Sequence, residues 1–287
     1  MNRCEERMPR WMYRSITQGG RLREVEQVLA KEGLHTVCVG AKCPNRGECF
    51  SAGTATFMIM GDTCTRDCRF CAVPTGPVRA LDRGEPEAVA RAAKKMALSH
   101  VVVTSVTRDD LPDGGAGHFA DTIAAVRGAL PGATVEVLVP DFKGSPDAHA
   151  TVFAARPDVL NHNIETVKSL YPGIRPMHDY DRCLSIIRAA SRAGLRAKSG
   201  FMVGLGESPA ELGALLKDLQ ETGCSFVTAG QYLQPAADNM PVQRFWKPEE
   251  FLAIEERALS MGFEGVAAGP LVRSSYHAGK MLERCVE

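Results

Sequence analysis

Six of the chain's ten cysteines fall into two groups of three. Cys64, Cys68 and Cys71 are spaced C-x3-C-x2-C within TATFMIMGDTCTRDCRFCAV, residues 54–73. They follow a short β-rich apolar run, Thr54 to Met60, which places them on a loop just past a strand end. Three thiolates on one loop can ligate three irons of a 4Fe–4S cluster, which ordinarily takes four cysteines. With no fourth cysteine close by, one iron stays open to something that is not protein. Zinc is the blander occupant, but a zinc site usually closes four ligands, often as two C-x2-C pairs. The spacing does not supply them.

Cys38, Cys43 and Cys49 form the other group, spaced C-x4-C-x5-C within LHTVCVGAKCPNRGECF, residues 34–50. Pro44, Asn45 and Gly47 make this stretch read as a loop. Two triplets of different spacing, so close along the chain, point to two clusters. Cys183 and Cys224 fall in or beside helical stretches and read as small buried hydrophobes. Cys4 and Cys285 are terminal and carry no assignment. His162 and His277 are not needed as ligands where thiolates are already supplied.

The elements that must hold these loops alternate. Strands are expected at 54–60, 100–106, 134–140, 159–165, 196–203 and 226–233, with a weaker one at 263–268. Helices are expected near 86–98, 118–130, 147–155, 179–193, 208–222 and 248–261. An N-terminal helix carries Leu22, Val25, Val28 and Leu29 at helical spacing and stops at Gly33. The helix at 208–222 is the clearest: Ser208 and Glu211 form a capping box, Pro209 takes the first turn, and Leu212, Leu215, Leu216 and Leu219 mark one face. Alternation of this kind implies a parallel sheet with its active site at the C-terminal strand ends. A complete eight-stranded barrel needs about 250 residues; six good strands between Thr54 and Leu233 favour an incomplete one. Polar residues at those strand ends are candidate ligand contacts: Ser105, Asn163, Glu165 and Lys198, with Arg108 and Arg175 on nearby loops. Helix capping or a loop hydrogen bond is the alternative for each. Gly204 and Gly206 read as a strand-to-helix turn, not as a dinucleotide fingerprint.

Composition removes several classes. The chain has 287 residues, 45% of them apolar, and 34 basic against 34 acidic side chains. Zero formal charge gives no reason to expect nucleic-acid binding. No apolar run approaches the roughly 20 residues of a membrane span, and MNRCEERMPRW has no apolar core of a signal peptide. Clustered cysteines in an α/β pattern favour metal ligation in a reducing compartment, so the cytoplasm is expected.

The C-x3-C-x2-C loop, with Phe70 just before Cys71, resembles the radical S-adenosylmethionine (SAM) superfamily. The order C-x4-C-P-N-x3-E-C followed by A-T-F-M-I-x-G-x-x-C-T-R-x-C-x-F-C resembles the lipoyl synthase family within it, over nearly the whole chain. Val39, Gly40 and Phe50 depart from that family's usual residues without removing a ligand. The resemblance implies an α/β fold: a partial (βα)6 TIM-type barrel at 54–250, an N-terminal extension at 1–53 and a C-terminal extension at 251–287. It implies two 4Fe–4S clusters, with SAM bound to the one held by Cys64, Cys68 and Cys71. The other, on Cys38, Cys43 and Cys49, takes Ser275 of the GPLVRSSYHA stretch as its fourth ligand; a helix-capping serine is the alternative there. Ser105, Asn163, Glu165, Lys198 and Arg175 become candidate contacts to the amine, ribose and carboxylate of SAM. The implied reaction is sulfur insertion at C6 and C8 of a protein-bound octanoyl-lysine, with the auxiliary cluster as sulfur donor. The implied partners are an octanoylated lipoyl carrier domain (glycine cleavage H protein or 2-oxoacid dehydrogenase E2), an electron donor such as ferredoxin or flavodoxin, and a cluster-repair carrier. Two other readings stay open: a different two-cluster radical SAM enzyme whose auxiliary cluster relays electrons or binds substrate, and a non-catalytic metal or redox module.

Overall fold

The computed structural model describes residues 8–13 and 20–283. It divides into two compact units. The first holds Ser15–Arg66 and Val73–Leu160; the second holds Met1–Arg14, Asp67–Ala72 and Asn161–Glu287. Cys4 and Cys285 lie outside the described residues.

In the first unit, helix α1 (Leu22–Glu32) buries Val25 and Leu29 and ends at Gly33, whose φ of 67° suits a residue without a Cβ. Then come β1 (His35–Thr36), α2 (Val37–Gly40), α3 (Arg46–Ser51) and β2 (Thr56–Ile59). The stretch at 34–50 is therefore not a plain loop. It holds two helices of four and six residues, too short to show a period, and the Thr36 side chain caps the first by accepting from Val39 N. Helices α4 (Glu85–Lys95), α5 (Ala116–Ala129) and α6 (Pro146–Ala154) alternate with β3 (His100–Ser105), β4 (Thr134–Leu138) and β5 (Val159–Asn161). Strand β1 is antiparallel to β2; β2, β3 and β4 are parallel, with Ile59 opposite Ser105. All four residues of β2 are buried, as expected for a parallel strand covered on both faces.

The second unit continues with α7 (Tyr171–Ile174), α8 (Tyr180–Arg192), β6 (Arg196–Val203), α9 (Pro209–Glu221), β7 (Phe226–Gln231), α10 (Pro248–Ser260), β8 (Gly265–Gly269) and α11 (Ala278–Glu283). Strands β6, β7 and β8 are parallel neighbours. Helix α9 opens with the expected capping box: Ser208 Oγ accepts from Glu211 N, and Glu211 Oε2 from Ser208 N. The strand expected at 159–165 stops at Asn161. Beyond it Glu165, at a left-handed φ of 68°, rejoins the ladder as a single bridge to Phe201. The turn after β6 is built as the glycines suggest. Gly204 has φ of 94°, and the Glu207 carboxylate accepts from Gly204 N and Leu205 N. The fold class is thus α/β, with parallel pairing in both units.

Candidate functional site

The first triplet lies wholly within the first unit. Cys38 is buried in α2, while Cys43 and Cys49 are half-buried, and none of the three is in a disulfide. Backbone bonds shape the turn: Cys43 N donates to Cys38 O, Arg46 N to Cys43 O, and Cys49 N to Asn45 O. Thr54 closes it through its amide and hydroxyl, both donating to Cys49 O. Burial pushes the Cys38 thiol above its ordinary pKa, because a thiolate there lacks water. A cluster iron would supply the missing positive charge.

Cys64 ends the first unit's share of the second triplet. Two backbone amides donate to its sulfur, Arg66 N at 3.4 Å and Thr107 N at 3.3 Å. Amide donors aimed at a sulfur are an arrangement that suits an iron ligand. Arg66 holds the turn. Its guanidinium, 4% exposed, meets Asp109 through Nε and Nη2 at 2.6 and 2.8 Å and Asp141 Oδ1 at 2.6 Å. Burial opposes this charge, but the two carboxylates overcome it and keep the guanidinium firmly protonated. Thr65 adds a hydroxyl that donates to Thr107 O and accepts from Asp109 N.

Cys68 and Cys71 belong to the second unit. Cys71 N donates to Cys68 O, and His178 Nδ1 stands 3.8 Å from Cys68 Sγ. Phe70 packs against a buried cluster of Ile174, Leu205, Tyr232 and Met240. Among the described residues, no three Cys, His, Asp or Glu side chains stand together in metal-holding geometry; none of the six cysteines is in a disulfide.

The candidate SAM contacts sit as follows. Ser105 ends β3 in the first unit, and its Oγ is buried without a hydrogen-bond partner. Arg108 is not an outward cation, because it is buried against Asp110 and Met60 O. In the second unit Asn163 Oδ1 is buried and unpartnered, while its Nδ2 donates to Ser274 Oγ at 3.4 Å. A Cβ on Gly200 would lie 2.9 Å from that Asn163 oxygen, so the glycine keeps space beside it. Burial raises the Glu165 carboxyl pKa, with Arg175 and Asn163 pulling the other way. Lys198 is buried within β6. Arg175 turns inward: its Nη1 donates to Asn163 O, Tyr171 Oη and Cys183 Sγ. Cys183 therefore has charged and polar company instead of the apolar setting expected for it. Burial works against its ionisation, yet His162 and Arg175 prevail and lower its pKa to about 7. Ser275 is half-buried on the segment before α11. Upstream, Gln231 N donates to Pro270 O, and a Cβ at Gly230 would strike the Val272 carbonyl oxygen. Sequence reasoning missed Asp141 and His178 as neighbours of the site. An arginine set between two ligand cysteines was the one signal that a buried acid partner should be sought.

The thiol sets with amide donors, and the partnerless oxygens of Ser105 and Asn163, fit a thiolate-held cluster and a polar cosubstrate. The pattern of the Radical SAM superfamily matches residues 58–219. Methylornithine synthase shares the fold at a TM-score of 0.57 and 15% identity, covering 85% of this chain and 74% of that chain. Fold and cysteine loop together define a radical SAM enzyme. Lipoyl synthase of Rubrobacter xylanophilus is 52% identical over 277 residues, 96% of this chain and 86% of that one. Lipoyl synthase of Caldanaerobacter subterraneus subsp. tengcongensis is 52% identical over 274 residues, 95% of this chain and 96% of that one. The chain belongs to the lipoyl synthase family. Among the described residues, no helix is long and apolar enough to cross a membrane.

Proposed function

We propose that the protein inserts sulfur at C6 and C8 of an octanoyl chain amide-linked to a lysine of a lipoyl carrier domain. The observation that carries this reading is the pair of cysteine triplets inside a chain about half identical to lipoyl synthases over nearly its full length. Cys64, Cys68 and Cys71 hold the cluster that binds SAM. Cys38, Cys43, Cys49 and Ser275 hold an auxiliary 4Fe–4S cluster whose sulfide is consumed. Residues 1–53 and 251–287 serve as extensions bringing that second ligand set to the barrel at 54–250.

Bound together, the SAM cluster and SAM supply a 5′-deoxyadenosyl radical, which removes the unactivated hydrogens that no side-chain base could take. The chain's own part is to bind and orient. Ser105, Asn163, Glu165, Lys198 and Arg175 are proposed to fix the amine, ribose and carboxylate of SAM, the partnerless Ser105 and Asn163 oxygens being the best supported. The octanoylated domain is proposed to be glycine cleavage H protein or a 2-oxoacid dehydrogenase E2. Ferredoxin or flavodoxin is the proposed reductant, and a carrier rebuilds the auxiliary cluster.

The test is anaerobic incubation of the reconstituted, reduced protein with SAM and an octanoyl-lysine peptide, read by mass for the dithiolane. Dithiolane formed at about one per chain, with about two SAM cleaved for each, supports the reading. Multiple turnovers without added sulfur would leave the auxiliary cluster as an electron relay. Cys64→Ala should abolish SAM cleavage, whereas Cys38→Ala should leave 5′-deoxyadenosine formation and stop sulfur insertion. Dithiolane from the Cys38 variant would overturn the donor assignment.

A further inference from the structure

Between β7 and α10 the chain runs as a strap, residues 232–247. Both ends are moored within the second unit: Tyr232 N donates to Val203 O, and Gln231 accepts from Trp246 N while donating to Arg244 O. Its middle is tied to the loop of Cys68 and Cys71. The Asn239 amide donates from one nitrogen to Cys71 O at 2.9 Å and Arg69 O at 3.2 Å. Met240 N adds a second donor to Arg69 O at 2.9 Å. Two carbonyls facing one side-chain amide accept only a donor there. The strap is itself rigid. Gln234 Nε2 donates to Asn239 O, and Tyr232 Oη to Met240 O. Met240 also joins the buried cluster on which Phe70 rests. The carbonyls on either side of Phe70 are thus pinned from a segment some 170 residues away.

We propose that Asn239 is a positioning residue for Cys68 and Cys71: by holding the Arg69 and Cys71 carbonyls it fixes the turn that presents both sulfurs to iron. This rests on the reading that those cysteines carry the SAM cluster, but the pinning itself concerns the thiols whether or not iron is bound. A loop free to swing by an ångström misplaces the open iron against its cosubstrate, a displacement that costs roughly a hundredfold in rate in other enzymes.

The experiment compares Asn239→Ala with Asn239→Asp. Alanine removes the two donors. Aspartate keeps the shape but turns acceptor oxygens onto two carbonyls, so a space-filling role predicts alanine to be worse and a donor role predicts aspartate to be worse. In the iron-free full-length chain, alkylation mapped by mass should speed up severalfold at Cys68 and Cys71 and stay unchanged at Cys43 and Cys49, which serve as internal controls. In the reconstituted protein, the reduced cluster's EPR signal should lose its normal response to SAM, and its midpoint potential should shift in the order Asp, Ala, wild type. SAM cleavage should fall tenfold or more. Wild-type alkylation, EPR and potential in both variants, or alanine worse than aspartate, would overturn the inference. Persistence of the SAM-responsive EPR signal in Cys71→Ala would instead overturn the cluster assignment on which it rests. If the aspartate variant does not fold, the alkylation pattern of the alanine variant decides.

Discussion

Two buried guanidinium groups, one in each unit, have partners of different chemistry. Arg66 in the first unit meets two carboxylates, Asp109 and Asp141. Arg175 in the second meets a phenol, a thiol and a backbone carbonyl. The two carboxylates hold the Arg66 guanidinium protonated against its burial. The thiol beside Arg175 titrates near neutrality, and the balance there depends on pH. The first anchor is therefore ionic and constant. The second has soft partners. Anchors of two different chemistries can be lost one without the other.

Replacing Arg66 by methionine gives the largest expected effect. It strands Asp141, whose side chain is fully buried, and should cost about 3–5 kcal/mol in urea unfolding of the iron-free chain. A loss below about 1 kcal/mol would erase the contrast between the anchors. Next in size is Arg175→Met. Its partners can relax to neutral forms, so about 2–3 kcal/mol is expected, the range for hydrogen bonds to a charged donor. Equal losses at the two arginines would show that the kind of partner does not matter.

The pH dependence should separate them further. Folding lowers the Cys183 thiol from an ordinary value near 9 to about 7. The stabilisation from its thiolate is thus fully present above about pH 9 and fades as pH falls through 7. It amounts to roughly 3 kcal/mol, from two pKa units at about 1.4 kcal/mol each. Urea midpoints at pH 7, 8 and 9 should rise in the wild type relative to Cys183→Ala, and Arg66→Met should not alter that slope. The smallest change, Ser208→Ala, supplies the scale. Loss of an exposed capping box should cost about 1 kcal/mol, alike at all three pH values.

Part of this could be read before any coordinates. The capping box at Ser208 and Glu211 was legible because its rule spans four residues. The two cysteine triplets were legible because ligand spacing is local. The β/α alternation was legible because each element is long enough to show its period. The Arg66 network was not, since Asp109 and Asp141 lie far along the chain and nothing periodic links them to the loop. Asn239 stands in a stretch, QPAADNMP, that reads as an ordinary turn. Cys183 looked like a small apolar filler because it sits among helical apolar positions. The inward turn of Arg175, bridging α7 to α8, and His162 give it polar neighbours.

The strap also carries an optical consequence. The chain has two tryptophans: Trp11 is 44% exposed and Trp246 only 6%. Trp246 ends the strap, with the Arg244 guanidinium 4.2 Å above its ring. Its emission therefore reports a shielded indole beside a cation, and that surrounding changes when the strap lifts. Trp11→Phe removes the solvent-facing background and leaves one fluorophore, so unseating of residues 232–247 can be followed by wavelength alone, in real time, in a protein without iron.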